Sequence, residues 1–127
     1  MNFRLRTSKK TAEKLKELQD KIRMTPNILS RYAVVLSLRN PEPVVNFVKD
    51  TSGLEFNRTT LTGSYDFIFK SLIAQHSHRE ISDDEFFPDL FNAHLERGIS
   101  ILESEYEYAG NQEKMIINLM TKMPGVG

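Results

Sequence analysis

The stretch that decides the fold covers residues 2–38, and its sequence is NFRLRTSKKTAEKLKELQDKIRMTPNILSRYAVVLSL. Residues 2–7 alternate between two kinds of side chain, with Phe3 and Leu5 on one side and two arginines on the other. Such alternation predicts a short, half-buried strand. The strand therefore opens the fold and leads directly into a helical region.

Two helices follow this strand. Apolar residues at spacings of three and four predict the first helix over residues 9–24, with Thr7 or Ser8 as its cap. Thr25-Pro26 begins the second helix, which ends near Leu38, because threonine caps helices and proline suits the first helical position. The order strand, helix, helix is similar to that of ribbon-helix-helix DNA binders, in which two subunits pair their strands.

The remaining sequence predicts further helices. The predicted elements are a short helix or strand over 41–50, an extended or irregular segment over 54–64, a helix over 64–76, a helix from the capping box at 82–85 to about 108, and a last helix over 111–122. Pro88 should kink the fifth helix or delay its start, and Gly98 should permit close packing. The sequence thus predicts a mainly α fold, in which a short N-terminal strand precedes a compact bundle of five to six helices.

The expected domain organisation is a single domain over residues 1–127. Within it, residues 1–39 form a basic strand-helix-helix part, residues 40–122 the helical remainder, and residues 123–127 a mobile tail.

Charge is distributed unevenly along a chain whose net charge is zero. Residues 1–39 carry ten basic and three acidic side chains, a balance of +7, and residues 40–127 carry the opposite balance, −7. A basic third of this kind indicates a surface for a polyanion, although two solvated faces that neutralise each other across a subunit interface would give the same pattern.

The basic residues are the candidate DNA contacts. Two arginines project from the strand and the others lie along the first helix: Arg4, Arg6, Lys9, Lys10, Lys14, Lys16, Lys21 and Arg23. Lysine contacts to phosphate position a protein on DNA without reading its sequence, so binding selective for DNA structure is expected. For any single lysine, a solvated side chain remains the alternative.

The remaining motifs do not predict a catalytic, metal or cofactor site. Arg58, Thr60 and Thr62 precede a helix and could lie beside a phosphate, or simply form a capping turn, which is favoured. His76 and His78 do not share a helix face, and no metal site, cofactor motif or nucleophile–base pair is predicted. The chain has no cysteine, which excludes disulfides and thiolate catalysis. No membrane span or signal peptide is apparent, and a cytoplasmic location is expected.

Several motifs together resemble the DNA sulfur modification family DndE over roughly residues 3–120. They are RLRTS and AEKL near the N-terminus, TPNILSR at 25–31, EFNR at 55–58, TLTG at 60–63 and HLERG at 94–98. The resemblance implies a small, mainly helical, non-catalytic protein of DNA phosphorothioation, in which sulfur replaces a backbone oxygen. It also implies binding to nicked duplex DNA, a homo-oligomer expected to be a tetramer, and partner proteins of the same modification system.

Three alternatives stay open at this point. A ribbon-helix-helix transcription regulator would bind one operator through Arg4 and Arg6. An enzyme would turn over substrate by itself, and a helical scaffold would not contact nucleic acid at all.

Overall fold

The structure is a computed structural model, which describes residues 3–44, 48–110 and 112–121. Its elements are β1 (Arg4–Arg6), α1 (Lys9–Ile22), α2 (Pro26–Leu38), β2 (Glu55–Asn57), α3 (Arg58–Thr62), a 3-10 turn (Gly63–Tyr65), α4 (Asp66–Ser77), an irregular turn (Glu85–Leu90), α5 (Phe91–Ala109) and α6 (Gln112–Thr121). The prediction of a mainly α fold with a short N-terminal strand is confirmed.

The helix starts follow local capping chemistry. The side chains of Ser8 and Thr25 accept hydrogen bonds from the backbone N–H groups of Thr11 and Ile28, at the N-termini of α1 and α2. At the predicted capping box, the Glu85 backbone N–H donates to Ser82 Oγ and the Ser82 N–H donates to Glu85 Oε1, both at 3.1 Å. These reciprocal bonds satisfy donors that a helix start otherwise leaves unpaired.

Strand β1 pairs with β2 of the same chain, antiparallel, with Leu5 opposite Phe56. Both of these apolar side chains are buried, while the residues beside them face outward. The predicted order of strand, helix and helix is present. The strand pairing of ribbon-helix-helix proteins is not what the described residues show, because the partner strand comes from residues 55–57 rather than from a second subunit.

The core lies between α2 and α5. Ala33 of α2 and Gly98 of α5 meet so closely that a Cβ atom on the glycine would overlap the backbone carbonyl of Ala33. Buried leucine, isoleucine and phenylalanine side chains from α1, α4 and α5 surround this contact. The prediction that Gly98 permits close packing is confirmed.

Three predicted elements differ from the structure. In the segment predicted as extended or irregular over 54–64, Glu55–Asn57 form a strand, but Arg58–Thr62 form helix α3 and Gly63–Tyr65 a 3-10 turn. Residues 41–44 and 48–50 are not helical, and the middle of that predicted segment, like the predicted tail at 123–127, lies outside the described residues. Regular helix α5 begins at Phe91 rather than near 82, because Phe87 has extended backbone angles (φ −135°, ψ 125°) and precedes Pro88. The expected delay near Pro88 is therefore confirmed. Within the described ranges, no helix combines the length and apolar character that crossing a bilayer requires.

Candidate nucleic-acid interface

The basic residues of α1 fall on two sides of the helix. The side that packs on the core carries Thr11, Leu15, Leu18 and Ile22. At 100° per residue, one basic stripe holds Lys9 and Lys16, and a second holds Lys10, Lys14 and Lys21, roughly 140° away. Arg23, the exposed C-cap residue with left-handed backbone angles, follows the end of α1 and is counted with the first stripe. We call these the first and second basic stripes. The three acidic residues of the helix, Glu13, Glu17 and Asp20, lie between them, so α1 presents two separate basic surfaces rather than one.

The second basic stripe faces the acidic part of α5. The Lys14 ammonium donates to Ser100 Oγ at 3.1 Å and lies 3.5 Å from Glu103 Oε1, with its side chain only 17% exposed. Lys14 therefore stabilises the packing of α1 on α5. Glu103 lowers the positive potential around Lys14, while Lys10 and Lys21 of the same stripe are exposed.

The first basic stripe borders an open groove. The groove has a volume of about 560 Å³ and lies between α1 and the loop before β2. Its lining residues are Lys9, Ala12, Glu13, Lys16, Gln19, Pro26, Ser52, Gly53 and Leu54. Within the described part of the chain, Lys9, Lys16 and Arg23 form no side-chain ion pair, although Asp50 accepts a bond from the backbone N–H of Lys9.

Two features of this groove come from distant parts of the sequence. Pro26 places the N-terminus of α2 at one wall, where the helix dipole favours negative charge. Gly53 places the other wall, since its N–H donates to Thr7 O at 2.9 Å and a Cβ there would overlap the carbonyl of Ser8. The position of this loop does not follow from the local sequence, because its contact with Thr7 spans 46 residues. The turn-forming residues Thr51-Ser52-Gly53 indicate only that a turn is present.

The strand arginines are exposed but share one carboxylate. Arg4 and Arg6 lie 3.3 Å and 3.2 Å from the two oxygens of Glu55, which is on the neighbouring strand β2. Their side chains remain 74% and 56% exposed, so both can still reach solvent or a ligand. Glu55 reduces the net charge that this edge of the molecule offers.

Arg58 does not match the prediction that it lies beside a phosphate. Its guanidinium donates to both carboxylate oxygens of Asp66 and of Asp83, at 2.7–2.9 Å, and it stacks over the rings of Phe86 and Phe87. These hydrogen bonds raise the pKa of Arg58 and lower those of Asp66 and Asp83. The side chain is buried and its donors are occupied, so its role is to join α3, α4 and the segment before α5.

The two threonines of the same segment also bind within the chain. Thr62 Oγ1 donates to the carbonyl of Arg58 and lies 2.9 Å from Asp66 Oδ2, and the Thr60 carbonyl accepts from Arg31. The Asn57 side chain accepts from the Thr59 N–H at the start of α3. The favoured alternative, a capping turn, is the one that the structure shows.

Two of the histidines meet in the interior. His94 is fully buried, its Nδ1 lies 2.9 Å from Ser37 Oγ, and its ring meets that of His76 edge-on at 4.7 Å. Arg97 donates to Ser37 Oγ and to the carbonyls of Ser37 and Asn40 at the end of α2. The cluster therefore fastens the C-terminus of α2 to α5. Among the described residues, no three histidine or carboxylate side chains are grouped closely enough to hold a metal ion.

Because His94 is buried, it makes the stability of the folded chain sensitive to acid. Desolvation, followed by the nearby His76 and Arg97, lowers the pKa of His94 from 6.5 to about 3. Below pH 6.5 the unfolded chain takes up a proton at this position and the folded chain does not, so stability is lost as the pH falls toward 3. Denaturant titrations of the wild type should show a loss of up to about 1.4 kcal/mol per pH unit in this window.

The His94→Asn variant provides the comparison, because its amide can keep the bond to Ser37 without titrating. Its free energy of unfolding should change little between about pH 6.5 and pH 4.5, above the range where the aspartates titrate. A parallel loss of stability in both proteins would show that His94 is not the source.

Comparisons with known proteins agree with this fold. The profile of the family described as "DNA sulphur modification protein DndE" matches residues 4–110. No curated protein is significantly similar in sequence to the chain. Two similar solved structures are the crystal structure of DndE from Escherichia coli B7A, involved in DNA phosphorothioation modification, and that of a lysine mutant of DndE, involved in DNA phosphorothioation.

Both solved structures are 23% identical to this chain, with a TM-score of 0.63. The matches cover 79% and 82% of this chain and 97% and 99% of those chains, so the shared fold extends over nearly the whole of each solved chain. Since the family profile covers most of the sequence, the chain belongs to the DndE family of DNA sulphur modification proteins.

Proposed function

We propose that this chain is a non-catalytic DNA-binding subunit of a DNA phosphorothioation complex in the cytoplasm. The main support for the proposal is the first basic stripe. Lys9 and Lys16 line an open groove at the N-terminus of α2, and Arg23 lies just beyond the end of α1. Lysine and arginine at such a surface neutralise backbone phosphates and release condensed counterions. Family membership supports the link to phosphorothioation.

The first basic stripe holds the primary phosphate contacts in this proposal. Successive members lie seven residues apart, about 10 Å along the helix axis, so together they follow roughly 20 Å of a duplex. Arg4 and Arg6 add contacts at the strand edge. Lys10 and Lys21 contribute less in this proposal, because Glu103 of α5 lies beside Lys14 at the centre of their stripe.

The preference for nicked duplex comes from the family resemblance and has a physical basis. A nick interrupts one strand, so the duplex bends at lower cost and can follow the protein surface more closely. Contacts to phosphate carry no sequence information, so little sequence preference is expected. The resemblance also supports a homo-oligomer, a tetramer, that works with other DNA phosphorothioation proteins.

The ribbon-helix-helix regulator has less support. In such regulators the N-terminal strands of two subunits form the ribbon, whereas here β1 pairs with β2 of its own chain and the family match is to DNA sulphur modification proteins.

The test compares three DNAs of one sequence by fluorescence anisotropy: an intact duplex, the same duplex with one central nick, and one of its strands. The nicked duplex should bind most tightly, and the affinity for both duplexes should fall steeply with salt. Equal binding to all three DNAs, or none at all, would contradict the proposal. The mass of each DNA strand must also stay unchanged after incubation, since any cleavage or modification by the chain alone would make it an enzyme.

A further inference from the structure

One side of α2 and α4 carries an unusually apolar exposed surface. Five large side chains on it are between 38% and 52% exposed. Together with Val35, they form what we call the apolar face: Ile28, Tyr32, Val35, Tyr65, Ile68 and Leu72. Phe67, 79% exposed, projects from α4 beside it.

The apolar face surrounds a groove of about 330 Å³ in which Arg31 is the one charged lining residue. Arg31 Nε and Nη2 donate to the carbonyls of Leu61 and Thr60 at 2.7 Å and 3.0 Å, and its guanidinium lies over the Tyr65 ring. Its donors are thus directed at the chain's own backbone. Apart from the positive charge of Arg31, the described residues that line the groove are uncharged, in a protein whose residues are 27% charged.

The size of this surface is informative. Its exposed apolar area is on the order of 500 Å², which equals the largest patches on typical monomers. A standard interface buries roughly 800 Å² on each partner, so the apolar face and its rim supply most of what one stable contact needs. Tyrosine and arginine, which line this groove, are enriched in such interfaces, and lysine and glutamate are depleted.

We propose that the apolar face is the contact between two copies of this chain. In a two-fold contact the same patch meets itself. The like charges that this lining brings together are the two Arg31 guanidiniums, and each donates to backbone carbonyls of its own chain. A partner chosen by charge would need complementary groups that the lining does not offer. The face holds both a groove and half-exposed side chains such as Ile68, so it can supply both parts of a self-complementary contact.

This proposal rests on the homo-oligomer proposed above and adds the surface that forms it. No residue of α1 lines the groove, so pairing through the apolar face leaves the first basic stripe open to DNA. Each assembly then presents at least two basic stripes to one duplex.

Sedimentation velocity of the full chain tests the proposal. The wild type should sediment as an oligomer, the Ile68→Glu variant should shift to a smaller species, and a matched Tyr108→Glu variant on α5, where the side chain is 83% exposed, should not shift. Ile68 is half-exposed, so the charge should leave the fold intact, as thermal unfolding would show.

The absence of cysteine gives an independent readout. An Ile68→Cys variant should form a covalent dimer on mild oxidation, and an Ile117→Cys control on α6 should not. This readout decides the question if Ile68→Glu fails to fold.

The outcomes separate the two proposals. A wild-type oligomer that neither Ile68 variant perturbs or crosslinks would overturn the apolar face as the contact and leave the oligomer standing. A monomeric wild type, which is also the result if a different protein covers the face, would overturn both. DNA affinity measured on the same samples reports separately on the binding function.

Discussion

The Gly98→Ala variant should lose at least about 3 kcal/mol of stability, near the upper end of the cost of overpacking a core. An alanine Cβ would overlap the carbonyl oxygen of Ala33 in α2, and backbone, unlike a flexible side chain, cannot rotate away. Helices α2 and α5 would have to separate, which would loosen the core around them. Thermal or denaturant unfolding measures the loss, which should lower Tm by about 10 °C or more.

The sign of the stability change distinguishes a glycine packed against backbone from one without tertiary contact. At a helix position without tertiary contact, glycine to alanine stabilises a protein by roughly 1 kcal/mol. The matched control is Ser104→Ala at an exposed position of α5, which should change stability by less than about 0.5 kcal/mol. A Gly98→Ala variant as stable as the wild type would mean that α2 and α5 do not approach as closely as described.

The Arg58→Met variant should lose about 3 kcal/mol, because removing one member of a buried ionic group leaves its partners uncompensated. Methionine keeps most of the packing on Phe86 and Phe87 but leaves Asp66 and Asp83 without their shared cation. The two carboxylates are about one-third exposed, so water partly replaces the lost bonds and holds the loss to the lower end of the range. Urea unfolding of both proteins at neutral pH gives the difference.

A surface ion pair serves as the control. Arg79 and Glu85 are 2.7 Å apart but 47% and 44% exposed, so Arg79→Met should cost less than about 1 kcal/mol. The Arg58 group should also respond to acid. Because Arg58 lowers the pKa values of Asp66 and Asp83, their contribution is present above the ordinary value of 3.8 and is lost as the pH falls below it. Similar losses from Arg58→Met and Arg79→Met would contradict the assignment.

Local sequence signals predicted much of this fold. Ser8, Thr25 and the Ser82–Glu85 box cap helices where capping chemistry places them, and Gly98 lies where two helices meet. Capping depends on neighbours within three residues, so a single sequence contains the information.

Contacts between distant residues could not be predicted in the same way. Arg58 looked like a residue before a helix N-terminus, but its partners are 8 and 25 positions away and nothing local marks them. Strand β1 has its partner 51 residues along the chain, and its own sequence fits a second subunit equally well.

At the candidate site too, some features follow from the local sequence and others depend on contacts between distant residues. The sequence placed eight basic residues in one N-terminal set, and helical periodicity alone separates the lysines of α1 into two stripes. Which stripe stays open depends on where α5 packs. The contacts of Lys14 with Ser100 and Glu103 join residues more than 80 positions apart, and they place this member of the second stripe between α1 and α5, while Lys10 and Lys21 are exposed.

The salt dependence of duplex binding tests the central claim, which is that the first basic stripe binds the phosphates of the DNA backbone. Each phosphate contact contributes about 0.9 to the slope of log affinity against log salt. A variant in which glutamine replaces Lys9, Lys16 and Arg23 should show a weaker salt dependence, with the magnitude of the slope reduced by at least about 2. A variant in which glutamine replaces Lys10 and Lys21 should keep nearly the wild-type slope. An unchanged slope for the first set, or an equal reduction for both sets, would contradict the account.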